Sequence, residues 1–232
     1  MALPKLETPT YELTQPSTGK KIRYRPFLVK EHKVLLSMSE ASEDEVARIV
    51  KELVDVCTFN QLKIEDVPHF DIEYIFMMLR AKSIGEKVDV VITCANCGEK
   101  YDASFNIEDI VVEKKEKISD KVIITDSIGI QLRYPNFTNV VKIFDSNDIK
   151  HIFDLVKSCI KGVFDSENFY DIREQTDDEI NEFLESLTKE QFEKIEQFFV
   201  ESPKIVQKIE SDCPHCQHHN YSRIQGLQNF FI

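Results

Sequence analysis

The hydrophobic positions change period several times along the chain. Tyr11 and Leu13 alternate with polar neighbours, as do Ile22 and Tyr24, and Pro16-Ser17-Thr18-Gly19 lies between them. Alternation on both sides of a turn composition predicts a hairpin, with Pro26 ending its second strand. A short amphipathic helix is expected over 29–38. Val46, Ile49, Val50, Leu53 and Val54 then recur at spacings of three and four, which places them on one helical face. Ser42 with Glu45 supplies a capping box at its start. Another helix is expected from about Asp71, with Ile72, Ile75, Phe76 and Leu79 on one side and Gly85 as its stop.

Period two returns at Lys87. Val88, Val90 and Ile92 alternate with other residues up to Cys94, and past Cys97-Gly98 the chain comes back through Tyr101, Ala103 and Phe105. That is strand, tight turn, strand. Further strands are expected at 122–124 and 128–134. From about residue 138 the pattern is helical again. Ile149, Ile152, Phe153, Val156, Ile160 and Val163 form a stripe, with Gly162 near its end. Two helices should follow. Thr176 with Glu179 caps the run Ile180, Phe183, Leu184 and Leu187, and Thr188 with Gln191 caps Phe192, Ile195, Phe198 and Phe199. Pro203 stops the second, and strand and turn character resumes.

The expected fold is therefore α+β, with helical segments around a small β region, in one intertwined unit. Residues 1–85 supply a hairpin and helices, 86–135 join 203–232 in the β part, and 136–202 form a helical insertion. The 232 residues are 42% hydrophobic and 30% charged, with a net charge of −12. Such a chain can bury a core without metal or disulfides. Residues 164–202 hold 13 acidic and 3 basic side chains, so most of the negative charge lies there. This balance argues against a general nucleic-acid binder and against adsorption to anionic membranes. No apolar run has the length of a membrane span, and residues 1–7 lack the apolar stretch of a secretory signal. A reducing cytoplasm is the expected compartment, where six cysteines read as metal ligands or core residues rather than disulfide partners.

The strongest chemical signal is a pair of Cys-x-x-Cys motifs, Cys94-Ala95-Asn96-Cys97 and Cys213-Pro214-His215-Cys216. Two thiolates three residues apart on a tight turn can face one cation, and two such turns supply the four ligands of a structural zinc site. Gly98 suits the sharp turn after the first motif, while Gln217 matches it less well. The 115 residues between the motifs require the halves of a split zinc-ribbon-like site to meet in space. Loop closure grows only logarithmically with length, so this is permitted. One structural zinc per chain on Cys94, Cys97, Cys213 and Cys216 is the expectation. Cys-Pro-His-Cys also suits thiol–disulfide exchange, but that chemistry wants a helix running on from the motif. His215, His218 and His219 are alternative ligands. Cys57 and Cys159 read as buried core thiols.

No glycine-rich phosphate loop, Gly-x-Ser-x-Gly elbow or His-Glu-x-x-His motif occurs. Asp177-Asp178-Glu179 sits where a helix N-terminus favours negative charge. An enzyme is not expected.

The run Pro16-Ser17-Thr18-Gly19, then Tyr24-Arg25-Pro26-Phe27-Leu28-Val29-Lys30-Glu31, resembles the opening of the baseplate hub assembly proteins of T-even-type contractile-tailed bacteriophages. The paired Cys motifs and the ending Gly226-Leu227-Gln228-Asn229-Phe230-Phe231 add to the resemblance, which covers most of the chain. It implies an assembly factor or minor hub component that works on phage baseplate hub proteins in the host cytoplasm. A permanent subunit of the virion tail baseplate is the alternative. A thiol oxidoreductase and a nucleic-acid-binding zinc ribbon are the competing classes. The apolar end Phe230-Phe231-Ile232 is expected to dock on the chain's own core, with a partner as the alternative.

Overall fold

The computed structural model describes residues 6–36, 42–115, 118–144 and 149–225. The end of the helix expected over 29–38 and the apolar terminus from Gly226 onward lie outside the described residues. The chain forms two compact units, Met1–Glu113 with Lys204–Ile232, and Lys114–Pro203.

In the first unit, β1 (Tyr11–Thr14) and β2 (Lys21–Tyr24) pair antiparallel with Leu13 opposite Ile22. Their inward side chains Leu13, Ile22 and Tyr24 are buried. Three helices follow: α1 (Val29–Leu36), α2 (Glu43–Cys57) and α3 (His69–Ser83). The Ser42 side chain accepts from the Glu45 N–H at the start of α2, and of the expected face Ile49, Val50, Leu53 and Val54 are buried while Val46 is half-buried. Helix α3 is enclosed on more than the one side expected, because Phe70 and Met77 are buried along with Ile72, Ile75, Phe76 and Leu79. Asp71 and Glu73 are buried with them, so the helix is enclosed although it is not apolar all round.

Two carboxylates help fix this unit. Asp71, fully buried in the first turn of α3, accepts from Gln15 Nε2 at 2.6 Å, from the Ser17 N–H at 3.0 Å, and from the Ser17 hydroxyl. A buried carboxylate needs such donors, and these tie the β1–β2 turn to the helix. Glu31 lies 2.9 Å from the Arg25 guanidinium and accepts from the Leu28 N–H at 2.7 Å. Burial acts to raise its pKa, but these partners hold the carboxyl below the usual range.

β3 (Lys87–Thr93) pairs with β4 (Lys100–Asn106), and β5 (Val111–Glu113) ends the first passage through this unit.

The second unit holds β6 (Lys121–Ile123), β7 (Gly129–Leu132), α4 (Phe137–Phe144), α5 (Ile149–Cys159), β8 (Ile160–Phe164), β9 (Phe169–Asp171), α6 (Asp177–Glu185) and α7 (Lys189–Glu201). Its four strands form an antiparallel sheet in chain order. The helical stripe expected through Val163 stops at Cys159. Ile160 starts a strand, because the β-branched Ile160 and Val163 flank a glycine that disfavours helix. Gly162 lies so close to its neighbours that a Cβ there would run into the Phe169 ring and fall 2.5 Å from the Tyr170 carbonyl oxygen. The strand expected at 122–124 pairs with β7 and the one expected at 128–134 pairs with β8, and neither pairs with the cysteine strands. The insertion therefore begins at Lys114 rather than at 136, and it carries a sheet as well as helices.

Ile130, Leu132, Val156, Ile160, Leu184, Ile195 and Phe198 form the core of this unit. Both expected capping boxes, Thr176 with Glu179 and Thr188 with Gln191, are formed.

The chain then re-enters the first unit as β10 (Lys204–Asp212) and β11 (His219–Gln225), in a sheet ordered β11-β10-β5. Lys204 pairs with Glu113, so the insertion leaves and returns at adjacent positions.

Candidate metal centre

Two hairpins of the same design build the site. β3 and β4 are closed below the turn by Thr93 opposite Lys100, and β10 and β11 by Asp212 opposite His219. In the first turn the Cys94 N–H donates to the Glu99 carbonyl and the Gly98 N–H to the Cys94 carbonyl. In the second the Cys213 N–H donates to the His218 carbonyl and the Gln217 N–H to the Cys213 carbonyl. The same two bonds at the same offsets turn each cysteine pair outward from its ladder. Gly98 has φ 76° and Gln217 has φ 60°. Gln217 thus takes the left-handed conformation that glycine adopts freely, at a cost of roughly 1–2 kcal/mol.

The structure brings all four sequence-predicted cysteines together. Cys94 Sγ lies 3.6 Å from Cys216 Sγ and Cys97 Sγ lies 3.7 Å from Cys213 Sγ. All four sulfurs fall within 4.8 Å of one another. A tetrahedron with metal–sulfur bonds of about 2.3 Å has edges of about 3.8 Å, so the set fits one tetrahedral ion. The thiols are free, and these separations far exceed a covalent S–S bond of about 2.05 Å. Cys94 and Cys213 are buried, Cys216 is half-buried and Cys97 is exposed.

The electrostatics also suit a cation. The Cys97 N–H holds the Cys94 thiol down to about 5, against desolvation, with help from the Asn96 N–H and the Asn220 side chain. Backbone bonding at Glu99 lowers Cys97, but local desolvation of its sulfur and the neighbouring sulfurs outweigh it and push that thiol up to about 12. Four sulfurs at this spacing do not ionise together unaided, and a bound cation removes the conflict.

Asn220 joins the two turns. It is buried, accepts from the Ala95 N–H at 2.9 Å, and donates to Cys94 Sγ at 3.5 Å and to the His218 carbonyl at 3.0 Å. Asn96 Nδ2 reaches Cys216 Sγ at 3.6 Å from the other side. The Tyr101 hydroxyl meets Ser211 Oγ at 2.8 Å. Sequence reasoning missed these residues. The available signal was position, since Tyr101 and Asn220 each stand seven residues past the first cysteine of a motif, at the first inward site of the returning strand.

Among the described residues no histidine joins the group of sulfurs. Among the described residues the metal-compatible group at this site is the four cysteines alone, and His219 is bonded to Asp212 at 2.8 Å. Cys213-Pro214-His215-Cys216 lies in a turn between strands, without the following helix that dithiol chemistry uses. Cys57 and Cys159 are buried, and burial pushes both thiols up to about 11. Among the described residues no helix is long and apolar enough to cross a membrane.

A family model described as T4 bacteriophage base plate protein matches residues 8–232. No curated protein and no solved structure matches the chain.

Proposed function

The chain belongs to the T4 bacteriophage base plate protein family, and from that premise we propose that it is a non-catalytic assembly factor for the baseplate hub, acting by protein–protein binding on a zinc-pinned scaffold. The closed cysteine cluster carries this reading. Four protein sulfurs around one point leave no open coordination position, which is the arrangement of a structural rather than a catalytic zinc. Cys94, Cys97, Cys213 and Cys216 would hold the ion, and its chemistry there is to neutralise the thiolates and fasten the two turns. The binding work then falls to the surfaces that this scaffold presents. The site of action is the host cytoplasm during assembly, and the partners are hub proteins of the baseplate.

The test is recovery of tail proteins with an affinity-tagged chain from infected cells, alongside immunodetection of the chain in purified virions. Recovery of a hub protein with no chain in virions is the expected result. A chain present in finished virions at stoichiometric amounts would make it a permanent subunit, and no tail protein recovered would overturn the reading.

A further inference from the structure

The second unit carries an open cleft of about 330 Å³ between the β8–β9 hairpin and α6. This is the lower end of the range for binding pockets, enough for one or two side chains. Ile160, Val163, Ile180 and Phe183 line its floor. Ile128, 37% exposed, and Tyr170, 44% exposed, stand at the mouth.

The rim is acidic, and its charges are fixed in place. Asp165 Oδ1 accepts from the Glu167 and Asn168 N–H groups at 2.8 and 2.7 Å, and Oδ2 accepts from the Tyr170 hydroxyl at 2.9 Å. Glu179 Oε2 accepts from the Thr176 N–H and hydroxyl, both at 2.8 Å. Both carboxylates line the cleft. Arg173, one of only three basic residues in the 164–202 segment, is committed to Asp171. An apolar floor inside an anionic rim selects an apolar side chain flanked by cations.

We infer that this cleft is the docking site for a partner segment in which an aliphatic or aromatic side chain is flanked by Lys or Arg. This rests on the reading that the chain works by protein–protein binding, and it names where and with what chemistry.

Two variants separate the floor from the rim. Ile128→Lys places a cation and a long stem at a solvent-facing position of the mouth. Glu179→Gln removes a rim charge while glutamine still serves the capping box. The probe is an array of overlapping 15-residue peptides covering the other baseplate proteins of the phage, incubated with the purified full chain. Bound peptides should share an apolar residue flanked by basic ones. Ile128→Lys should weaken them at least tenfold, and Glu179→Gln by roughly two- to fivefold at low salt, as for an exposed charge pair.

The inference is overturned if no peptide binds, if bound peptides have no basic excess, or if Ile128→Lys binds them like wild type. In each of those cases recovery of hub proteins by the tagged chain would leave the assembly reading standing. Peptide binding as expected, without recovery of any tail protein, would do the reverse.

Discussion

Stripping the metal should loosen the first unit at one identifiable place. A cross-link between the two cysteine turns closes a loop of 115 residues, and closing a loop of that length is worth about 5 kcal/mol in chain entropy. Domains are stable by roughly 5–15 kcal/mol, so the loss is a large share of the total. It is not the whole, because β10 keeps its ladder with β11 and its pairing through Ile205–Val112 and Val206–Val111. At roughly 3–5 °C per kcal/mol for a unit of this size, a chelator should lower the first unit's transition by roughly 15–25 °C. The core of the second unit is drawn entirely from Lys114–Pro203, so its transition should not move. Calorimetry with and without chelator reads both. Elemental analysis should give one zinc per chain, lost in Cys94→Ser and equally in Cys213→Ser. Two separately lost metals, or equal transitions with and without chelator, would refute the shared clasp.

Other consequences can be checked in the same way. Asn220→Ala strands the Ala95 N–H and removes a donor from Cys94, so metal affinity measured by chelator competition should fall roughly 10–100-fold. Gln217→Gly relieves the left-handed strain at φ 60° and should raise the first unit's stability by about 1 kcal/mol in denaturant titration. Gly162→Ala meets a backbone carbonyl and should cost the second unit about 2–3 kcal/mol, whereas Gly129→Ala meets only the Phe164 ring, which can swing, and should cost less. Glu31 has a folded pKa below its unfolded one, so its contribution is present above about pH 4.5 and is lost as pH falls through the folded value. Arg25→Met should therefore flatten the acid limb of a stability–pH curve, besides destabilising the unit by roughly 3–5 kcal/mol at neutral pH.

The sequence was most readable where one short-range signal decides the local structure. Thr176 with Glu179 and Thr188 with Gln191 mark helix starts because a hydroxyl and a carboxyl or amide three residues apart satisfy each other's backbone donors. The cysteine spacing was readable for the same reason, since two thiolates three residues apart on one tight turn can face one cation. Ile160 and Val163 misled because they extend a helical stripe by residue count, while the close packing of Gly162 against Phe169 is a cross-strand fact that periodicity does not carry. The boundary at Lys114 was hidden likewise, because β6 and β7 look like any strands until the pairing of β7 with β8 is known. Asp71 was invisible for a different reason. It accepts from Gln15 and Ser17 in a distant turn, and nothing in the residues beside it announces those donors.

The insertion of a self-contained unit between β5 and β10 also sets an order in time. Ribosomes add roughly 5–20 residues per second, so the 115 residues from Cys97 to Cys213 take about 6–23 s to emerge. Throughout that interval the first cysteine turn is on the nascent chain without its counterpart. The inserted unit draws its core from Lys114–Pro203, Ile195 and Phe198 included, so it is complete only when Pro203 has emerged, about 0.5–2 s before Cys213 at that rate. The acidic cleft can thus form just before the unit that flanks it in sequence can be fastened. A partner engaging that cleft during synthesis would meet a chain whose second cysteine turn has yet to emerge.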